Sequence, residues 1–239
     1  MTRAPGPRVA GARPPGTGER VLLACGAMGP PLFVVVFLAE GAVRPDYDPL
    51  RHPISSLSLG DSGWTQSLSF VVTGLLVVAF AIGLRPALRR LGFGIWVPVL
   101  IGLVGVGLVG AGFFPTDPIS GYPPGTPPMP PVRSASGVLH DAFSTPVFTA
   151  LPAACIVVGR RFARLGLRAW SRYSLATGVV FLVCFIVTSI GFGQNPTLMP
   201  VAGLLQRLTI VVGFAWLTAL AVHLLRHPTA DRSRTGMTR

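Results

Sequence analysis

Six stretches of the chain are long and apolar enough to cross a bilayer as helices: residues 21–43, 67–84, 95–114, 138–158, 173–192 and 204–225. About 20 apolar residues span the hydrocarbon core, at a rise of about 1.5 Å per residue. A transmembrane β-barrel would show alternating segments of about ten residues, and these runs do not alternate. Of the 239 residues only 12% are charged and 50% are hydrophobic, giving a mean hydropathy of +0.61. Soluble domains carry about 25% charged residues and need them to cover their surface. The expected fold is therefore all-α: a polytopic integral membrane protein, one six-transmembrane-helix bundle over residues 21–225. Residues 1–20 and 226–239 read as cytoplasmic tails, the first rich in Pro, Gly and Arg. The first run is too long for a signal-peptide core.

Charge placement sets the expected topology. All 20 basic side chains are Arg. Sixteen lie in the tails and in the loops after spans 2 and 4, with only Glu19 and Asp231 for company. Arg44, Arg51, Arg133 and Arg207 fall on the other side, with Glu40, Asp46, Asp48, Asp61, Asp117 and Asp141. The positive-inside rule then places both termini in the cytoplasm and the protein in the plasma membrane. The net charge of +12 is explained by topology and anionic inner-leaflet lipid, so no nucleic-acid partner is expected. At 100° per residue, Arg160, Arg161, Arg164, Arg168 and Arg172 share one arc. That predicts an amphipathic helix over 159–172, lying on the inner leaflet, with Arg160, Arg161, Arg164 and Arg168 against phospholipid head groups. The plainer reading is a topology determinant with no ligand of its own.

Span 3 carries Gly102, Gly105 and Gly112 on one stripe and Gly107 and Gly110 on another. Two neighbouring helices can then approach its backbone closely, which puts span 3 between them. Pro30–Pro31 in span 1 and Pro146 and Pro152 in span 4 are breaks of the kind that line transporter sites. The middles of the spans hold no ionisable residue, which weighs against a proton-driven pump. A small-solute transporter is thus the weakest reading. Cys25, Cys155 and Cys184 all sit in apolar runs and read as small hydrophobes rather than a disulfide framework. The loop 115–136 has eight Pro between 115 and 131. It reads as a stiff connector, or as a cap on the outer face or a ligand for a partner protein.

Chemistry is concentrated at one membrane depth. Glu40 closes span 1, Asp117 follows span 3, His140 and Asp141 open span 4, and Gln206 and Arg207 open span 6. His52 and Ser55 lie in the loop between spans 1 and 2. Ionisable groups just inside apolar helices should face the bundle and pair, and Asp141 or Glu40 with Arg207 is the expected ion pair. Three readings of this rim stand side by side. It fixes helix order through such pairs. It is a hydrolase or transferase site, with His52 or His140 as general base or as metal ligand beside Asp117 and Asp141, and Ser55, Ser56 or Ser58 as a nucleophile. Or it binds a lipid or a partner membrane protein without chemistry, through Glu40, Gln206 and Arg207. Adjacent His140 and Asp141 project about 100° apart on a helix, poor spacing for one metal. No glycine-rich phosphate loop, CxxC pair or GxSxG is present, and neither a cofactor nor a metal is expected.

The segments HPISSLSLGDSGW, FFPTDP, SGVLHD and LLQR, in this order, resemble a bacterial family of six-span membrane proteins catalogued as domain of unknown function 998. The resemblance covers roughly residues 20–225. It implies a six-helix membrane fold and no particular reaction. His52, Ser55, Asp117, His140, Asp141, Gln206 and Arg207 match its recurrent polar motifs. In outline the pattern is similar to Frag1/DRAM/Sfk1-type six-span proteins, linked with lipid and membrane organisation. That likeness is one of fold alone.

The topology is tested by reporter fusions in a bacterial host. Alkaline phosphatase fused within residues 121–133 should be active, and green fluorescent protein inserted at residue 166 should be fluorescent. The reverse pattern overturns the assignment.

Overall fold

The computed structural model describes residues 16–227; the segments read as tails fall mostly outside that range. Six long helices follow one another: α1 Thr17–Val43, α2 Gly63–Arg90, α3 Trp96–Phe113, α4 Ala135–Arg164, α5 Arg168–Phe192 and α6 Ala202–Arg226. Each is long and apolar enough to cross a membrane. Short 3-10 turns at Ile54–Ser58 and Met199–Val201 precede α2 and α6. α1 begins four residues before the expected span, so Thr17–Arg20 are helical rather than tail. α1 runs as one helix through Pro30 and Pro31, and α4 as one helix through Pro146 and Pro152.

The helices close into a ring. Each packs against its neighbours in sequence, and α6 returns to pack against α1. Every neighbouring pair is antiparallel, which follows from short loops and an even number of crossings. In lipid the backbone must satisfy its own hydrogen bonds, so helices pack through side chains and bare glycine backbone. The two glycine stripes of α3 serve two different neighbours. A Cβ on Gly105 would lie 2.8 Å from the Gly74 carbonyl of α2, and one on Gly112 would lie 2.7 Å from the Ser67 carbonyl. A Cβ on Gly107 or Gly110 would strike Phe143 of α4. The interior is filled by Phe33, Phe37, Phe80, Phe181, Phe214 and Trp216, all at most 1% exposed. Trp216 donates its indole N–H to Ser174 Oγ at 3.0 Å. Val35, Leu75, Ile82, Val106 and Ile186 face outward, as lipid contact requires. Trp64 and Trp96 are exposed near helix ends, where interfacial tryptophans sit.

The helix expected over 159–172 does not form as one element. α4 continues to Arg164 and α5 starts at Arg168, with Gly166 between them at φ +75°. A left-handed residue ends a helix, and glycine adopts it without a Cβ clash. Leu165 and Leu167 flank this turn and pack against the core, so the chain reverses there instead of lying flat. Arg160, Arg164, Arg168 and Arg172 are exposed, but Arg161 is not a lipid contact. Its guanidinium donates to the Leu91 carbonyl at 3.1 Å and lies 5.9 Å from the Phe93 ring, pinning the α2–α3 loop to α4.

Gly105→Leu should destabilise the bundle by about 1–3 kcal/mol, the usual range for forced overpacking. Gly102→Ala should be nearly neutral, because its added methyl meets Ala81 Cβ at an ordinary 3.8 Å. Unfolding of the purified protein in detergent measures both.

Candidate functional site

The even number of crossings puts the 44–62, 114–134 and 193–201 loops together at the end of the ring away from the termini, here called the distal end. The 44–62 loop is moored on α6. The Leu204 N–H donates to the Leu50 carbonyl at 2.9 Å, and Gln206 Oε1 accepts the Ile54 N–H at 2.7 Å. These contacts satisfy backbone groups that a helix start leaves open. The loop lies so close that a Cβ on Gly203 would stand 2.5 Å from the His52 carbonyl.

Arg207, 6% exposed, completes the mooring. It donates to the His52 carbonyl at 3.1 Å, the Gly203 carbonyl at 2.9 Å and the Tyr47 hydroxyl. Its guanidinium also lies near the Phe37 and Tyr47 rings, at 6.0 and 5.5 Å. The expected ion pair with Asp141 or Glu40 is not formed. Glu40 is taken by Arg44 one turn away at 2.9 Å, and Asp141 by Arg133. Tyr47 is no substitute anion: burial outweighs the nearby Arg207 and pushes its phenol up to about 12. The positive charge is met by dipoles and ring faces only.

His52 is buried beneath Tyr47 and Tyr122, with ring centroids 5.5 and 5.1 Å away. Its Nδ1 accepts the Asp48 N–H at 2.9 Å. Tyr122 belongs to the proline-rich loop, which folds down as a cap over the distal end. There the Ser120 N–H donates to the Pro128 carbonyl at 2.8 Å, and Ser120 Oγ accepts from Gln194 Nε2 at 3.4 Å. Asp117 sits on the start of α4, accepting the Ser134 hydroxyl at 2.5 Å and the Ser134 N–H at 3.1 Å. A carboxylate is favoured at a helix N-terminus. The fit is close: a Cβ on Gly137 would fall 2.2 Å from the Asp117 carboxylate.

Beneath the loops the ring encloses a cavity of about 400 Å³, within the range of small-molecule sites. Its apolar wall is Phe33, Phe70, Val147, Phe148, Phe185 and Ile210. Its polar rim is Ser55, His140, Asp141, Ser144, Thr188 and Gln206. All six helices or their loops contribute. His140 is 3% exposed, with Nδ1 between the Phe114 and Ala111 carbonyls at 2.7 and 3.1 Å. Both partners are acceptors, so Nδ1 carries a proton, and His140 thereby caps the C-terminus of α3. A neutral ring held this way presents the Nε2 lone pair on its other edge. The exposed residues of the lining, Asp141, Thr145 and Ser189, all lie on α4 and α5. Glycines bring these two helices together towards the other end, at Gly159 against Leu175 and Gly178 against Cys155. The stacked Phe148 and Phe185 close the floor at 4.6 Å. Beyond them Asp141 and Thr145 of α4 face Ser189 of α5, and all three are exposed. On α5 the outward-facing Ile186 and Ile190 lie beside Ser189.

Of the candidate residues, Ser55, His140, Asp141 and Gln206 reach this cavity. His52, Asp117, Glu40 and Arg207 do not line it and hold the loops. His52, Asp117, His140 and Asp141 therefore form no common centre, and no group of three metal-ligating side chains converges among the described residues. Among the contributors that escaped the sequence reading are Ser144 and Thr188. The signal was present: Ser144 lies one turn after His140, on the same face, inside a run read only for hydropathy. Thr188 gave no pattern, because its importance lies in facing another helix.

A closed ring of six apolar helices with a polar-rimmed cavity at one end defines a multi-pass membrane protein. The family described as Protein of unknown function (DUF998) matches residues 27–223, and the chain belongs to it. Comparison with curated proteins and with solved structures found no match.

Burial holds the His52 imidazole below its ordinary value, against the pull of Asp48. The unfolded chain then takes up the proton first as pH falls through about 6.5, so this contribution to stability is full above that pH and declines below it. Protonation at Nδ1 would also set two donors against each other at Asp48 N–H. Melting in detergent should show a loss of stability between pH 7.5 and 5.0, smaller in His52→Asn, whose amide oxygen can still accept from Asp48. Equal losses in both proteins would remove His52 as the cause.

Proposed function

We propose that this protein binds a single amphiphilic molecule, taken sideways from the outer leaflet into the distal cavity. One observation carries the reading: the cavity has an aromatic floor and a polar rim, and its exposed lining residues all lie on α4 and α5, beside the outward-facing Ile186 and Ile190. A chain would lie on Phe33, Phe70, Phe148 and Phe185, and a head group would meet His140, Gln206 and the hydroxyls. The exposed lining begins at Asp141, six residues into α4, about 9 Å from its start at 1.5 Å per residue. That depth suits a molecule whose head sits at the membrane interface. The outward orientation rests on the arginine asymmetry, which also brings Arg160, Arg164 and Arg168 to anionic lipid at the cytoplasmic face. The polar loops moored by Arg207 and capped by Tyr122 roof the cavity, which favours access from the side over access from water.

The test is photolabelling in membranes with single-chain lipids carrying a diazirine in the chain, supplied as fatty acid and as monoacylglycerol. Label should concentrate in residues 140–148 and 185–192 and fall at least about five-fold in Val147→Trp, which fills the cavity floor. Even labelling of lipid-facing positions such as Val35 and Ile82, unchanged in the variant, overturns the reading.

A further inference from the structure

The rim is unusual for a lipid site in what it lacks. Asp141 is the one acidic side chain lining the cavity, and no arginine lines it. Asp141 is already matched by Arg133. Of the other distal cations near the site, Arg207 is committed to Tyr47 and two carbonyls and Arg44 to Glu40 and the Ser62 carbonyl, while the Arg51 side chain makes no hydrogen bond or ion pair among the described residues but does not line the cavity. A phosphate or carboxylate would thus enter a low-dielectric space that no cation lines, which is costly.

The free hydrogen-bonding groups are of another kind. His140 has Nδ1 occupied, leaving the Nε2 lone pair without a partner among the described residues. Gln206 has its Oε1 fixed by the Ile54 N–H, which turns its amide nitrogen, with two unused protons, the other way. Thr188 lines the cavity and is 3% exposed, and its hydroxyl is buried and without a partner. A buried hydroxyl left unpaired costs about 1–3 kcal/mol, so such groups in folded proteins have a reason. Ser55, Thr116 and Ser144 also line the cavity, and their hydroxyls make no hydrogen bond among the described residues. By contrast Thr145 and Ser189 spend their hydroxyl protons on their own helices, on the Asp141 and Phe185 carbonyls. The usable set is one acceptor, one two-proton donor and four hydroxyls that do both, all uncharged.

Resting on the amphiphile reading above, we propose that the head group bound here is neutral and hydroxyl-bearing, as in a monoacylglycerol or an alkyl glycoside, and not a phosphate or carboxylate. A hydroxyl donates to His140 Nε2 while accepting from Gln206, which a phosphate dianion or monoester cannot do without repelling the imidazole lone pair. A second hydroxyl or an ester carbonyl satisfies Thr188 and Ser144.

The experiment is competition against the photolabel, with the full-length protein in phosphatidylcholine nanodiscs. Unlabelled monoolein, octyl glucoside, oleate and lysophosphatidylglycerol are the competitors. Monoolein and octyl glucoside should displace the label from residues 140–148 more effectively than the two anions, relative to chain length. For monoolein against oleate the difference should be at least about ten-fold, the effect of one uncompensated charge. Thr188→Val keeps the shape of the side chain and removes an unpaired hydroxyl, so the protein should fold at least as stably. In that variant monoolein should lose several-fold in potency while oleate is unchanged. Equal or better displacement by the anions overturns the head-group assignment and leaves the amphiphile site standing. Retained monoolein potency in both Thr188→Val and Ser144→Ala also overturns it. Absence of site-directed label under every condition removes the amphiphile site itself.

Discussion

A guanidinium buried without an anion governs the distal end of this protein. Arg207 stands one and a half turns into α6, where neither water nor lipid can solvate it well. Its donors are met by the His52 and Gly203 carbonyls and the Tyr47 hydroxyl, which fixes the 44–62 loop across the start of α6. Breaking this knot would leave a bare charge in an apolar surrounding, a far larger loss than any single contact it makes. The mooring has consequences beyond the loop. It ties α1 and α2, which flank that loop, to α6, which follows them in the closed ring. It also delivers Ser55 and Ile54 to the cavity rim and orients Gln206.

Ring closure produces the cavity. Glycine contacts draw α2, α3 and α4 tightly together along α3, and Gly159 and Gly178 do the same for α4 and α5 towards the end that holds the termini. Packing of that quality leaves no space where the backbones touch. Past the Phe148–Phe185 stack the two helices carry small polar side chains in place of glycine, and the space between them stays open. The same helix pair therefore seals one end of the bundle and opens the other. The floor is aromatic because the interior at that level is Phe33, with Phe70 and Phe214 against it at 5.0 and 5.5 Å.

Several residues that look like chemistry turn out to be joinery. His52 supports a loop through Asp48, Asp117 tops α4 through Ser134, and Glu40 holds Arg44 against the Leu59 and Ser62 carbonyls. Polar residues at helix ends face a standing demand, because each end leaves backbone groups open. His140 meets that demand for α3 with one nitrogen and keeps the other for the cavity. This double role separates it from the other imidazole of the distal end. Arg161 is the matching case at the opposite end, a member of an arginine cluster that pins a loop while its neighbours face outward.

Hydropathy and charge, read along the chain, were enough for the helix count, the sorting of arginine to one end and the two packing faces of α3. These are local or periodic properties: lipid admits helices, their length is set by membrane thickness, and a glycine stripe is visible as a stripe. Partner choice was not legible. Arg207 faced two acids of suitable depth in the sequence, Glu40 and Asp141, and took neither, because each had an arginine nearer on its own helix or loop. The helix expected over 159–172 failed for a similar reason: a periodic arc of arginines does not reveal that one glycine between two core leucines will turn the chain. Which side chains share a cavity depends on how six helices rotate about their axes. Only tertiary packing sets that rotation, and so only the folded ring separates the residues that line the space from those that hold its roof.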